Sequence, residues 1–442
     1  MAVPNTIESA GSNPTGTNPT GTTGNRAGRR CKARPRPAGG LRPTDVIGAY
    51  FLAGIGMLVA GVVAAIVNAA DPWPWGRWLA LHLIFVGGIS QLVLGASQFF
   101  VGAFLATDPP GRGRIRAQLG CWNLAAVLLA IAVPIGSKAL VWLAVAGLLG
   151  GLLLYGSGLL AMRRDSLQAA PWATRWYLAA AGSLGFGIVA GILLATHVVW
   201  AHGDLLGAHM ALNVAGWFGT AILGTLHTFF PSLTRTALAY PRLQASTFAA
   251  WILGVAALAI GYGWLIEPLA IAGWIALLAS SAALLANLLA SLRAAPRPIS
   301  LPARALALAQ AFLLGGLLLA CIGAIGSGPA EALSGSSRAA VGTLLVAGWV
   351  GLTVLGSLLH LLAVVVRVRN LSRPIPPPRP QLDALLMTAT AAAVFGLAAA
   401  QLADLGGLRA IASVALIAAY ATLAGRVAAL AARVLTIARP RI

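Results

Sequence analysis

Six histidines stand in a chain of 442 residues that holds only ten acidic side chains, and they are the groups best able to ligate a metal. His82 and His209 lie near the outer ends of two long apolar runs. Imidazole inside a membrane is costly and normally faces a cavity, a partner or a cofactor. Two neutral imidazoles at one depth on neighbouring helices can supply both axial bonds of a b-type haem. Taken singly, His82 is equally well explained as an interfacial histidine meeting headgroups and water. His197, His202, Asp204 and His209 crowd one connection. That density of imidazole and carboxylate can bind copper or zinc, and an ordinary polar loop explains the same residues. His227 follows His209 by 18 residues, five turns, so the pair shares a helix face at about 27 Å and serves opposite membrane sides. His360 sits near the inner end of a further run, close to the position matching His227. A second, inner haem between these two fits that placement, and so does snorkelling of both to the interface. Cys31, Cys121 and Cys321 are far apart and unpaired in spacing, which indicates neither a disulfide framework nor a zinc knuckle.

The elements that must position these groups are membrane helices. Hydrophobic residues make up 59% of the chain and charged ones 9%, against roughly 25% charged in a soluble domain. Apolar runs long enough to cross about 30 Å of hydrocarbon cover approximately 46–69, 79–105, 118–135, 139–162, 177–200, 208–230, 243–266, 269–292, 305–325, 339–366, 384–403 and 411–435. This predicts an all-α polytopic protein of twelve transmembrane helices, residues 45–442, with the lipid bilayer as its main partner. The net charge of +20 is topological rather than a sign of nucleic-acid binding. Twenty-six Lys and Arg fall on one side of the spans, while Arg77, Lys138, Arg338 and Arg409 fall on the other. By the positive-inside rule the protein sits in the cell membrane with both termini cytoplasmic. Residues 1–44, rich in Gly, Thr, Pro and Asn and then in Arg, read as a disordered basic cytoplasmic tail. Pro374–Pro380 reads as a stiff cytoplasmic linker.

The runs repeat. Val214-Ala-Gly-Trp-Phe-Gly-Thr-Ala-Ile-Leu-Gly-Thr-Leu226 matches Val346-Ala-Gly-Trp-Val-Gly-Leu-Thr-Val-Leu-Gly-Ser-Leu358 at eight of thirteen positions, at an offset of 132. The second run follows more weakly at an offset of 129, with Gly87 on Gly216 and Leu94-Gly95 on Leu223-Gly224. Each matching helix is the second of four. Three pseudo-repeated four-helix blocks, near 45–165, 175–293 and 304–435, would form a pseudo-threefold bundle, and such proteins place sites between their repeats. Intramembrane acids are almost absent, which weighs against a proton-coupled pump or transporter. Gln91, Gln98, Asn123, Asn213 and Asn287 form the intramembrane polar set, as expected of helix–helix hydrogen bonds.

Residues Ala208–Pro231, with the following Arg235-Thr236, resemble a signature helix of the haem-copper oxidase subunit I superfamily, including NnrS-like and actinobacterial copper oxidase-like membrane proteins. The matching residues are His209, Asn213, Gly216, Leu223-Gly224-Thr225-Leu226, Pro231 and Arg235-Thr236. The sharp motif spans about 30 residues; beyond it the likeness is one of architecture. The resemblance implies haem ligation by histidines at the outer ends of central helices. His209 matches the motif's first histidine, whereas Ala211 stands at the second, and the repeat alignment puts His82 at that second position in the first block. Residues two apart on a helix point about 200° apart. The second position of one block and the first of the next can therefore face one groove, making His82 and His209 a bis-histidine haem b pair. The His-Pro-Glu and paired-histidine copper ligands of true oxidases are absent, which argues against a proton-pumping oxidase.

The reading is an integral membrane haem-binding protein that carries electrons, or handles nitric oxide or copper at its outer face, with an extracytoplasmic redox or copper partner. Whether it is an enzyme stays open. The rivals are a transporter or permease using the pseudo-threefold bundle, and a degenerate scaffold that has lost its cofactor, which Ala211 favours.

Overall fold

The computed structural model describes residues 43–167, 171–369 and 379–437. The tail expected over 1–44 falls outside the described residues but for its last two positions, and so does most of the Pro374–Pro380 linker. Twelve helices are long and apolar enough to cross a membrane: α1 (Val46–Ala70), α2 (Gly76–Leu105), α3 (Arg112–Ala132), α4 (Lys138–Asp165), α5 (Trp172–Ala195), α6 (Leu205–Thr234), α7 (Leu243–Gly263), α8 (Glu267–Ala294), α9 (Leu301–Ser327), α10 (Gly335–Arg367), α11 (Pro380–Leu402) and α12 (Gly406–Val434). Each coincides with one predicted run, and the chain is an all-α polytopic membrane protein. Large apolar side chains such as Leu124, Leu153, Phe186 and Ile411 point outward, as a lipid-facing surface requires. Several helices depart from their predicted bounds by four to six residues at one end, and α5 does so at both. It ends at Ala195 and not near residue 200, because His197 turns left-handed (φ 56) and closes the helix. The Val198 amide donates to Leu193 O and the His197 amide to Leu194 O, a Schellman stop.

The same construction recurs in the blocks α1–α4, α5–α8 and α9–α12. In each, the first helix packs on the second, the third on the fourth, and the second on both the third and the fourth. The second helix of each block carries a π-helical stretch: Leu83–Ile89 in α2, Ala211–Gly219 in α6 and Thr343–Gly351 in α10. A π turn inserts one extra residue. Glycines eight apart therefore return to one face, where a regular helix would need seven. Gly87 and Gly95 lie against Met57 and Tyr50, Gly216 and Gly224 against Ser183 and Trp176, and Gly348 and Gly356 against Phe312 and Ala305. In every block the partners on the first helix are seven apart. The π turn is what brings the two spacings into register.

Widening a helix leaves a carbonyl without its usual amide, and a buried carbonyl must be satisfied. The residue before the first repeated glycine shows how. Val86 O accepts from Trp122 Nε1 at 2.9 Å, Ala215 O from Trp251 Nε1 at 3.1 Å, and Ala347 O from the Tyr420 hydroxyl. In the first two blocks an indole on the third helix does this; in the last a phenol on the fourth does.

The polar set divides. Gln91 and Asn123 exchange reciprocal amide bonds between α2 and α3 at 3.0 Å. Gln98 and Asn213 bond carbonyls of their own helices, Leu94 O and His209 O. Asn287 accepts from the Tyr240 amide at 2.7 Å and so anchors a connection. One buried acid lies just outside the predicted runs. Asp383, in the first turn of α11, pairs with Arg426 of α12 at 2.6 Å.

Candidate functional site

The charge-poor ends of α2 and α6 carry His82 and His209, each half-buried. His82 Nδ1 lies 2.8 Å from Trp78 O, and its ring stacks on the Trp78 indole with centroids 4.1 Å apart. His209 Nδ1 lies 2.9 Å from Gly187 O on α5. A ring nitrogen facing a carbonyl at that distance carries the proton, so both imidazoles are the Nδ1–H tautomer with an Nε2 lone pair left over. Metal-ligating histidines are held in this way, their far nitrogen donating to a carbonyl. Below them α2 meets α6 directly. Phe85 and Phe218 pack with centroids 5.4 Å apart, and Trp217 Nε1 donates to Ser90 Oγ at 2.9 Å.

Two glycines that the sequence reading did not single out make room for His209. A Cβ on Gly191 would sit 2.9 Å from His209 Cε1, and one on Gly187 would collide with the Asn213 amide. Asn213 donates to His209 O at 2.7 Å and so fixes the helix next to the ring. Gly187 and Gly191 are four apart and share a face of α5. That spacing is the signal the sequence held.

The other histidines are not drawn to this place. His197 is the exposed helix stop of α5, and His202 is exposed and edge-on to Trp200, with centroids 5.3 Å apart. The Asp204 carboxylate caps α6 by accepting from the Gly207 amide at 2.9 Å. Among the described residues no three of His, Cys, Asp or Glu come together as a metal site, so His197, His202, Asp204 and His209 do not converge. At the arginine-rich end, His227 is buried and stacks on Trp176 of α5, with Nδ1 at 2.8 Å from Leu223 O. His360 instead meets Phe229, centroids 5.2 Å apart. Residues 227 and 229 point to opposite sides of α6, so His227 and His360 do not share a groove.

The next groove round the bundle holds a cavity of about 110 Å³. It lies between the second and third blocks, and its walls include Ala211 and Val341. At the offsets of 129 and 132 these are the positions of His82 and His209. One groove thus has two imidazoles where its counterpart has a methyl and an isopropyl group. No family model and no curated protein matches the chain.

Proposed function

We propose that this membrane protein is an electron carrier of the haem-copper oxidase subunit I and NnrS-like kind, holding one haem b between His82 and His209. The observation that carries the reading is the matched tethering of the two rings. Each gives its Nδ1 proton to a backbone carbonyl and keeps its Nε2 lone pair, on helices that touch directly beneath. Such a donor set suits iron in a porphyrin, and the aromatic surroundings Trp78, Phe85 and Phe218 suit its apolar faces. Bound there, the haem would supply one-electron chemistry. His82 and His209 would hold the haem through their Nε2 atoms, and a haem held by two protein ligands would supply electron transfer or sensing rather than oxygen reduction.

The protein's own residues have three tasks in this reading. Trp78 O and Gly187 O fix ring tautomer and direction, Gly191 leaves the room His209 needs, and the Trp217–Ser90 bond holds α2 to α6. By the positive-inside rule the charge asymmetry favours a site at the extracytoplasmic face with the termini inside, where a redox or copper-carrying partner would exchange electrons with it. A cofactor-free scaffold is the reading that Ala211 and Val341 favour, since they leave the matching groove without imidazoles. A dithionite-reduced minus oxidised spectrum decides between the two. A b-type Soret and α band is expected, and none after expression with ample haem would leave the scaffold.

A further inference from the structure

The cavity between the second and third blocks is long and thin. On α10 its lining residues run from Arg338 to Trp349, eleven residues or about 16 Å at 1.5 Å per residue. On α7 they run from Tyr262 back to Trp251, the same distance along the chain. The cavity thus reaches from the charge-poor end of both helices to roughly their middle. A volume of about 110 Å³ spread over that length is a narrow slot, smaller than the ~150 Å³ that admits benzene. It has no room for a ring; an extended alkyl chain can lie along it. The walls suit such a chain. Ala211, Val214, Val341 and Leu345 line the slot. Three polar groups of its aromatic residues are engaged by protein. Trp251 Nε1 donates to Ala215 O and to Thr220 Oγ1, Trp274 Nε1 to Tyr262 Oη, and Tyr262 Oη to Pro329 O. An enclosed water needs roughly two to four polar partners, which walls of this kind do not supply.

The mouth is different. Arg338, exposed, stands among the lining residues in the first turn of α10. Its guanidinium has no ion pair among the described residues. Arg409, another of the few cations at this end, pairs with Asp404 at 3.4 Å. Glu331, the acid nearest Arg338 in the chain, accepts instead from the Ser334 hydroxyl at 2.7 Å. A cation in the first turn also faces the positive end of its own helix. Arg338 is therefore a charge unmatched by the protein, placed where a slot for hydrocarbon opens.

We infer that this groove holds one acyl chain of an anionic phospholipid, with the lipid phosphate on the Arg338 guanidinium. The two parts of the site follow the order of such a lipid, a headgroup partner at the membrane surface and a hydrocarbon slot running inward from it. Guanidinium takes phosphate through paired N–H donors, and a net anionic headgroup brings no ammonium of its own to compete for it. Ala211 and Val341, where the neighbouring groove has imidazoles, keep this one apolar. The inference concerns binding and stands independently of the haem proposed in that neighbouring groove.

The test is photolabelling of the full chain in lipid vesicles by a trace of phosphatidylglycerol that carries a diazirine in one acyl chain, with the adduct located by peptide mapping. A saturable adduct is expected on the groove helices, between residues 251 and 274 or 338 and 349. Mole for mole, unlabelled phosphatidylglycerol should displace the label about fivefold better than phosphatidylcholine, the worth of one ordinary hydrogen bond. Arg338→Gln should remove that preference. Ala211→Phe fills the slot and should abolish the saturable adduct; if that variant does not fold, Arg338→Gln and the competitors decide alone. Labelling that spreads round the helices without saturating would mean ordinary boundary lipid and would overturn the inference. So would equal displacement by phosphatidylcholine, or a preference untouched by Arg338→Gln. Displacement by oleate as good as by phosphatidylglycerol would make a free fatty acid the occupant and would overturn it as well.

Discussion

The groove between the first two blocks and the groove between the last two share one frame and differ in what lines it. In both, a π turn faces glycines toward the neighbouring helix and an indole caps the carbonyl it frees, Trp122 on Val86 and Trp251 on Ala215. In both, a glycine on the first helix lies beside the side chain four residues after the first-histidine position. These pairs are Gly187 with Asn213 and Gly316 with Leu345. The contents then diverge. His82, His209, Asn213 and Ser90 of one groove correspond to Ala211, Val341, Leu345 and Gly219 of the other. Backbone geometry was kept while the polar groups were exchanged as a set. Packing in this fold is therefore separable from the groups that line each groove.

The comparison can be strained most by moving the imidazoles. Ala211→His with Val341→His restores the pair, but Ala320 stands where Gly191 makes room for His209. Ala320→Gly must therefore accompany them. The triple variant is expected to raise haem per chain from one to two by pyridine haemochrome assay. Without Ala320→Gly the second haem should not bind.

Crowding the intact pair comes next. Gly191→Ala pushes a methyl against His209 Cε1 and should cost about 1–3 kcal/mol by overpacking. It should also shift the haem potential, read by spectroelectrochemical titration. The counterpart Ala320 already carries that methyl, so returning it to glycine alone should leave the spectrum unmoved.

Where the grooves agree, their variants should agree. Trp122→Phe and Trp251→Phe each take the indole away from a buried carbonyl, with the Thr220 hydroxyl still 3.5 Å from Ala215 O, and should lower stability in detergent by similar amounts, about 1–3 kcal/mol. A large difference between them would show that the shared frame is only superficial. The smallest contrast lies in the indoles between helices. Trp217→Phe breaks a bond to Ser90 and should cost about 1 kcal/mol. Trp349→Phe removes a donor that has no protein partner and should cost close to nothing in the absence of ligand.

Much of this frame can be read in the chain because a bilayer demands long apolar runs, and twelve of them stand out from nine per cent charge. The Val-Ala-Gly-Trp repeat marks α6 and α10, since close helix packing selects small residues at fixed places. The π turns are harder to see. They are backbone events, and their trace is the mismatch of glycines eight apart with partners seven apart, which appears only once both helices are paired. The carbonyl caps and the Gly187–Gly191 seat depend on contacts between distant segments, so spacing in one segment cannot reveal them. Asp383 lay one residue beyond a predicted run, and the matching Arg426 was hidden among apolar neighbours. The copper reading of His197, His202 and Asp204 rested on density along the chain. A helix stop and a helix cap account for two of those residues without a metal.

The central claim is that His82 and His209 act together on one haem. Its most direct test is the dithionite-reduced minus oxidised spectrum of the purified full chain, with His82→Ala and His209→Ala measured beside it. The account predicts a b-type Soret and α band in the wild type that is lost in both variants while the helical circular dichroism is kept. A band that survives either substitution, or a wild type without one under ample haem supply, would contradict it.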